Sequence, residues 1–368
     1  MPAIYRAWLF KFVTHRKLFY MFHFVLEEFG LDEQSCIIHP FGSGLINHTW
    51  KIINGQKNYI LQRINIQVFK QPGHIAQNIH LIAEYLKDKH PEYFFVIPIP
   101  TRGHEEILND NKHGYFRLFP FVPDSHTIDS VHEPSQAFEA AKQFGKFTRL
   151  LSKLPIEMLK ITLPDFHNLS LRYRQFHESV EQGNKERISF SSNAIKFLQQ
   201  HSDILTKFEA IKKDPDFKLR VTHHDTKISN ILFDEKNKGL CVIDLDTVMP
   251  GYFISDVGDM MRTYLSPVSE EEKDFSKIKI REEYFQAIVN GYLLEMKDEL
   301  SMTEKKYFVY AGKFIIYMQA LRFLTDYFND DIYYGAKYSD NNFVRANNQI
   351  VLLQKLMEKE EYLNKIVV

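Results

Sequence analysis

The spacing of apolar and polar residues divides the chain into two kinds of text. From residue 36 to about 120, short apolar runs (Cys36 to His39, Trp50 to Ile53, Tyr59 to Ile64) are separated by Gly, Asn and Lys turns, which predicts a twisted antiparallel sheet. Within that stretch, residues 74–88 place Ile75, Ile79, Ile82 and Leu86 at helical spacing, so one helix is expected to pack on the sheet. The run YFRLFPFVPDS at 115–125 is apolar and then broken by Pro120 and Pro123, as where a strand leaves a sheet and becomes an extended crossover. Beyond it the periodicity turns helical over 136–152, 189–213, 280–298, 303–328 and 342–363. The pattern predicts an α+β chain in three parts: an N-terminal extension over 1–35, a small β-rich lobe over 36–122 and a larger, mainly helical lobe over 123–368.

Length and composition agree with two lobes. With 368 residues the chain exceeds what one core absorbs, about 250 residues, so a cleft between unequal lobes is expected. A net charge of -1 argues against nucleic-acid binding, which needs a basic excess to neutralise phosphates. Cys36 and Cys241 lie far apart with no CxxC spacing, which excludes a cysteine framework and fits two free thiols in a reducing cytoplasm. The sixteen histidines show no HExxH or HxxxH zinc spacing. Residues 1–30 are rich in aromatics but carry Arg6, Lys11, His15, Arg16 and Lys17. These charges break any uncharged membrane span, leaving a docking helix or a surface-binding segment as the readings.

The stretch with the most chemistry is VTHHDTKISNILFD (221–234) followed by LCVIDLDTVMPG (240–251). A strand, a polar loop and two short apolar runs would bring Asp225, Asn230 and Asp244 to one end of a hairpin. Phosphoryl transfer needs such a group: a carboxylate to accept the nucleophile's proton, and an amide oxygen plus a second carboxylate to hold magnesium on the phosphates. Asp246 is read as a supporting or loop-capping carboxylate. Within Ser255-Asp256-Val257-Gly258-Asp259, the last residue is read as accepting backbone N–H groups of the loop. Gly42, Ser43 and Gly44, in FGSGLINHTWKI (41–52), form a candidate phosphate-covering turn, with an ordinary glycine-rich hairpin as the competing reading.

HHDTKISN resembles the HxDxxxxN catalytic loop of aminoglycoside phosphotransferase and choline kinase-like enzymes. VTHHDTKISN together with VIDLDTVMPG, and RFLTDY, DIYY and NFVRA downstream, is most similar to N-acetylhexosamine 1-kinases, over most of residues 36–355. The resemblance implies a protein-kinase-like fold, ATP and Mg²⁺ as cofactors, and phosphorylation of the anomeric hydroxyl of GlcNAc or GalNAc. It makes Asp225 the catalytic base, Asn230 and Asp244 the metal ligands, and His223 a brace of the loop, with Lys227 near the transferred phosphate. Arg63, on the strand YILQRIN, becomes the cation of the α- and β-phosphates. Gln77-Asn78 stands where similar sequences read EN, which leaves Glu84 or no residue as its carboxylate partner. Leu45 stands where relatives carry a sugar-contacting His.

Arg322 and Tyr333 are implied as sugar contacts, against the alternative that Arg322 is clamped by Asp326 one turn on. His167 and Arg172, in a segment resembling an insertion at the cleft rim, are read as solvated or structural, with a reach to the substrate as the alternative. Two further readings stay open at this level: a kinase of another sugar, a choline-type amino alcohol or an aminoglycoside, and a nucleotide-binding pseudokinase.

Overall fold

The computed structural model describes residues 21–42, 44 and 46–367, so Ser43, Leu45 and most of the N-terminal extension lie outside the described residues. The chain divides into two compact units, one comprising the described residues up to Asp124 together with Lys160–Leu163, the other Ser125–Leu159 with the rest.

The first unit is built on a five-stranded antiparallel sheet in the order β1-β2-β3-β5-β4, with β1 at Cys36–Pro40, β2 at His48–Asn54, β3 at Lys57–Ile64, β4 at Leu108–Asp110 and β5 at Gly114–Pro120. One face carries Ile52, Leu61, Phe116 and Leu118, all fully buried. A helical run over 21–28 (α1) covers it with Met21, Phe22, Val25 and Leu26. Burying such side chains contributes roughly 1.5–3 kcal/mol each, enough to fix the strand register. Helix α2 (Pro72–Lys89) buries Ile75, Ile79, Ile82 and Leu86, the apolar positions of the sequence pattern. Its buried Asn78 ties in the returning segment: the side-chain amide donates to the Lys160 carbonyl and its oxygen accepts from the Lys160 N–H, both at 2.8 Å.

The second unit is helical around two small sheets. Helix α3 (Pro134–Leu150) opens on a capping box between Glu133 and Gln136. Helices α8 (Phe253–Tyr264), α9 (Glu282–Met296), α11 (Phe308–Phe328) and α12 (Asn341–Glu358) build the core with it. Strand β6 (Ser125–His126) pairs with the hairpin β8 (Ile231–Asp234) and β9 (Gly239–Val242), while β7 (Arg220–Thr222) pairs with β10 (Met249–Gly251).

Three expectations are corrected. The single helix expected over 189–213 is three helices, α5 (Lys185–Phe190), α6 (Ser192–Gln200) and α7 (Asp203–Ile211). The first break falls at Ser191, whose hydroxyl bonds back to the Arg187 carbonyl. The 303–328 and 342–363 stretches each split as well, into α10 (Met302–Lys305) and α11, and into α12 and α13 (Glu360–Val367). Helix α4 (Leu169–Gln182) and helix α8 were not anticipated. Every residue of α8 from Phe253 to Met261 is buried, so it has no polar face to produce a helical period.

Candidate active site

The catalytic loop leaves β7 at Thr222 and runs through a 3₁₀ turn, Ile228–Asn230, into β8. Ile231 pairs with Val242 in the hairpin, and the Ile243 N–H donates to the Asn230 carbonyl at 2.9 Å. Asn230 and Asp244 therefore emerge at the same end of the β8–β9 ladder. The Asn230 Nδ2 donates to the Asp225 carbonyl at 2.8 Å, which fixes the amide and leaves its oxygen as the atom for another ligand. Asp244 is exposed. The described residues contain no cluster of three His, Cys, Asp or Glu side chains suited to a metal. What the hairpin offers is one amide oxygen and one carboxylate, a set that suits magnesium when phosphate and water complete the shell.

The loop is held from beneath by α8. Asp256 accepts from the N–H groups of His223 and His224 at 3.1 and 2.7 Å, and Asp259 accepts from the Thr226 N–H at 2.9 Å. Thr226 Oγ1 returns a bond to the Asp256 carbonyl at 2.7 Å. Three of the four N–H groups from His223 to Thr226 are thus fixed by two carboxylates one helical turn apart. Gly258 lies between those carboxylates, and a Cβ there would stand 2.3 Å from the Ala311 carbonyl oxygen, so α8 and α11 approach as only glycine allows. Asp259 also holds Arg262 at 2.8 Å; Arg262 reaches Glu270 at 3.0 Å, and Glu270 reaches Arg345 at 2.5 Å. This run of partly buried ion pairs continues through Asn342, which accepts from Arg345 at 3.0 Å and donates to Asp326 at 3.1 Å.

His224 and Asp244 both adopt left-handed backbone, at φ +66° and +59°. Such strain costs about 1 kcal/mol or more at a non-glycine residue and persists only where neighbours over-determine it. For His224 the neighbours are visible: its ring lies between Thr222 Oγ1 at 2.8 Å and Ser255 Oγ at 2.7 Å, and Ser255 Oγ also bonds His167. Burial, then the charge of His223, pushes His224 down to about 4, so its ring is neutral. His223 donates from Nε2 to the Ile243 carbonyl at 2.9 Å, and its own carbonyl accepts from Thr247 Oγ1 at 2.6 Å. It links the loop to the segment that carries Asp244. Asp246 is buried in the 3₁₀ turn that follows.

Lys227 lies 3.1 Å from the Asp225 carboxylate. Burial alone would raise Asp225, but the Lys227 ammonium together with His223 and Arg262 outweighs it and holds the carboxyl below its ordinary value, while the carboxylate raises Lys227 in turn. Asp225 is therefore ionised at neutral pH, as a group that accepts a proton must be.

A cavity of about 600 Å³ opens between α4, α11 and the loop after α11. Arg172 and Gln175 of α4 face Arg322 and Thr325 of α11, with Tyr333 and Tyr334 at its edge. The suggested clamp between Arg322 and Asp326 is not formed. Asp326 accepts instead from the backbone N–H groups of Tyr333 and Tyr334, at 2.7 and 2.9 Å, and so fixes the loop that presents Tyr333. Arg322 bonds Gln319 at 3.2 Å and the Tyr333 hydroxyl at 3.5 Å, with its guanidinium 5.9 Å from the Phe166 ring. Arg172, read from sequence as solvated or structural, lines the same cavity.

In the first unit, Gly42 at φ +79° and Gly44 lie in the β1–β2 connection, where an added Cβ would meet nothing. Arg63 pairs in register with Phe116, on the sheet face that α1 covers, and its guanidinium lies beside Gly114. Glu84 is exposed and 3.9 Å from Lys87, so it is not the carboxylate partner suggested for Arg63. The opposite face carries a pair that sequence reading passed over: buried Arg117, donating to Gln62 at 3.0 Å.

Solved structures similar to this chain include a microcompartment-associated aminopropanol kinase (TM-score 0.61, 14% identity, covering 91% of this chain and 96% of that one). An amicoumacin kinase in complex with AMP-PNP, Ca²⁺ and its ligand matches at TM-score 0.59 and 13% identity, covering 88% and 89%. A spectinomycin phosphotransferase in complex with ADP and spectinomycin matches at TM-score 0.54 and 16% identity, covering 96% and 97%. These likenesses are of fold, a kinase-like arrangement of antiparallel sheet and helical bundle. The model of one family, described as the phosphotransferase enzyme family, matches residues 37–297, well over half of the chain and the whole of the catalytic loop and hairpin, and the chain belongs to that family.

Proposed function

We propose that this protein transfers the γ-phosphoryl group of ATP to a hydroxyl of a small sugar, the anomeric hydroxyl of an N-acetylhexosamine. The observation that carries the reading is the ionised Asp225, tied through its own carbonyl to Asn230, which shares a hairpin end with Asp244. ADP and AMP-PNP with Ca²⁺ in the neighbouring structures support a nucleoside triphosphate and a divalent cation as cofactors. Bound Mg²⁺ would neutralise charge developing on the phosphates, and the Asn230 oxygen and the Asp244 carboxylate are the groups offered to hold it.

Asp225 receives the acceptor hydroxyl, orients it toward the phosphorus and takes its proton as the new P–O bond forms. Lys227 stays protonated beside Asp225 and donates to phosphate oxygens. His223, Asp256 and Asp259 are positioning residues, since they act on the loop backbone and through it on Asp225. Gly42, Ser43 and Gly44 are assigned to the phosphate-covering turn and Arg63 to the α- and β-phosphates. Arg322 and Tyr333 are assigned to the sugar, a guanidinium and a phenol suited to ring hydroxyls and the N-acetyl carbonyl. Cys36 and Cys241 are free thiols, in keeping with a cytoplasmic protein, and among the described residues no helix is long and apolar enough to cross a membrane.

The test is product identification. Incubated with MgATP and, in turn, N-acetylglucosamine, N-acetylgalactosamine, glucose, choline and kanamycin, the protein is expected to give an anomeric sugar phosphate by ³¹P NMR with the first two. Turnover of choline or kanamycin in their place would contradict the sugar assignment. ATP binding without product from any acceptor would favour a pseudokinase.

A further inference from the structure

The α4–α11 cavity has an electrostatic feature that recognition of a neutral sugar leaves unused. Arg172 and Arg322 both line it, from opposite helices. The groups they bond are uncharged. Arg172 donates to the Gln175 side chain at 3.0 Å and the Asp165 carbonyl at 2.9 Å; Arg322 donates to Gln319 and Tyr333. The Arg172 Nε is buried with no hydrogen-bond partner.

Two carboxylates border the cavity, and neither forms an ion pair with these arginines. Asp326 directs its oxygens to the Tyr333 and Tyr334 N–H groups and to Asn342. Glu178 is exposed. Burial, then the like charge of Arg322, lowers Arg172 below its ordinary value, and the exposed Asp165 carboxylate offsets only part of this. Like charges brought together and only partly compensated are destabilising in a folded chain unless a ligand supplies the opposite charge, and planar guanidinium donors match a carboxylate bidentately.

We propose that Arg172 and Arg322 form an anion subsite of the acceptor cavity, so that the preferred acceptor carries an acidic substituent such as a carboxylate and an ammonium-bearing acceptor is repelled. This rests on the reading of the cavity as the acceptor site and narrows the substrate class from any N-acetylhexosamine to one that also carries an acidic substituent. An ammonium would add a third positive charge to the pair. A neutral acetamide or hydroxyl offers only a partial one.

The test is calorimetric binding to the whole chain of three probes of similar size, glucuronate, N-acetylglucosamine and glucosamine, whose substituents are anionic, neutral and cationic. Glucuronate is expected to bind about tenfold more tightly than N-acetylglucosamine, glucosamine more weakly still, and the advantage of glucuronate to shrink with added salt. Arg172→Gln is expected to bring glucuronate and N-acetylglucosamine within about twofold, and Arg172→Glu to reverse the order of glucuronate and glucosamine. Circular dichroism and melting of each variant show whether it remains folded, and Arg322→Gln supplies the same comparison from the other helix. Glucosamine binding as tightly as glucuronate, an order unchanged in both Gln variants, or no detectable glucuronate binding would overturn the subsite. The parent reading fails separately: Asp225→Asn retaining phosphoryl transfer would refute it, whatever the order in which the three probes bind.

Discussion

The catalytic loop and the acceptor cavity lie in the same unit and treat charge in opposite ways. Around Asp225 charges are set against opposite charges or backbone donors: Lys227 on Asp225, Thr226 and Arg262 on Asp259, Glu270 between Arg262 and Arg345. In the cavity two guanidiniums face each other with only neutral partners. The difference fits the roles proposed for the two regions. A reacting carboxylate must be held to within a fraction of an ångström and kept ionised, which requires a compensated surrounding. A recognition pocket gains selectivity from charge that only its ligand completes.

Substitutions can break this comparison, the strongest first. Asp244→Asn, like Asn230→Ala, is expected to lower kcat by about three to four orders of magnitude; Asp244→Asn does so with little change in acceptor binding, whereas Asn230→Ala also frees the Asp225 carbonyl. A loss confined to acceptor KM would place these residues in the other region. Arg262→Met removes one partner from a partly buried run and leaves Asp259 and Glu270 uncompensated, so the chain is expected to lose about 3–4 kcal/mol in urea melts. Unchanged stability would show that the run is not under electrostatic tension.

Protonation sharpens the same point. The His224 ring is held near 4 against an ordinary value of 6.5, so between those pH values the unfolded chain takes a proton that the folded chain refuses. Its contribution to stability therefore falls as pH drops through that window, by about 3 kcal/mol once pH is below 4. Asp256, pushed up to about 6 mainly by burial, acts in the reverse sense: the folded chain keeps its proton longer, so its contribution falls as pH rises toward 6. Buried His167 is also lowered, with the same sign as His224. Stability measured from pH 4 to 7 is expected to slope less steeply in His224→Gln than in the parent. An identical slope would mean that His224 titrates normally.

The smallest effect belongs to the loop that frames the cavity. Asp326→Asn replaces one acceptor oxygen with a donor facing the Tyr333 and Tyr334 N–H groups. It is expected to raise the acceptor KM about tenfold while leaving the ATP KM unchanged. Equal shifts in both constants would contradict the separation of the two regions.

How much of this was written in the sequence depends on the range of the interaction. The strands β1 to β3 and the helix α2 follow from local periodicity, and HHDTKISN with Asp244 from a short motif, so the loop and hairpin are legible residue by residue. The supports are legible only in part. Asp259 reads from its motif as an acceptor of loop N–H groups and accepts from Thr226, but Asp256 in the same run fixes two N–H groups more than thirty residues away, from a helix buried all round where no periodicity marks it. The Arg322–Asp326 pairing suggested by helical spacing loses to backbone donors seven and eight residues on, which a loop folded over the helix end brings back. Arg172 reads as a solvated or structural residue of a rim insertion until α11 is placed opposite it.

The central claim is that the Asp225 carboxylate accepts the acceptor's proton during transfer from MgATP. Its most direct test is the Asp225→Asn variant, assayed for phosphorylated sugar under single-turnover conditions alongside calorimetric titration with MgAMP-PNP. The account expects transfer to fall about a thousandfold or more while nucleotide affinity stays within about twofold of the parent. Near-parental transfer to any hydroxyl acceptor would contradict it.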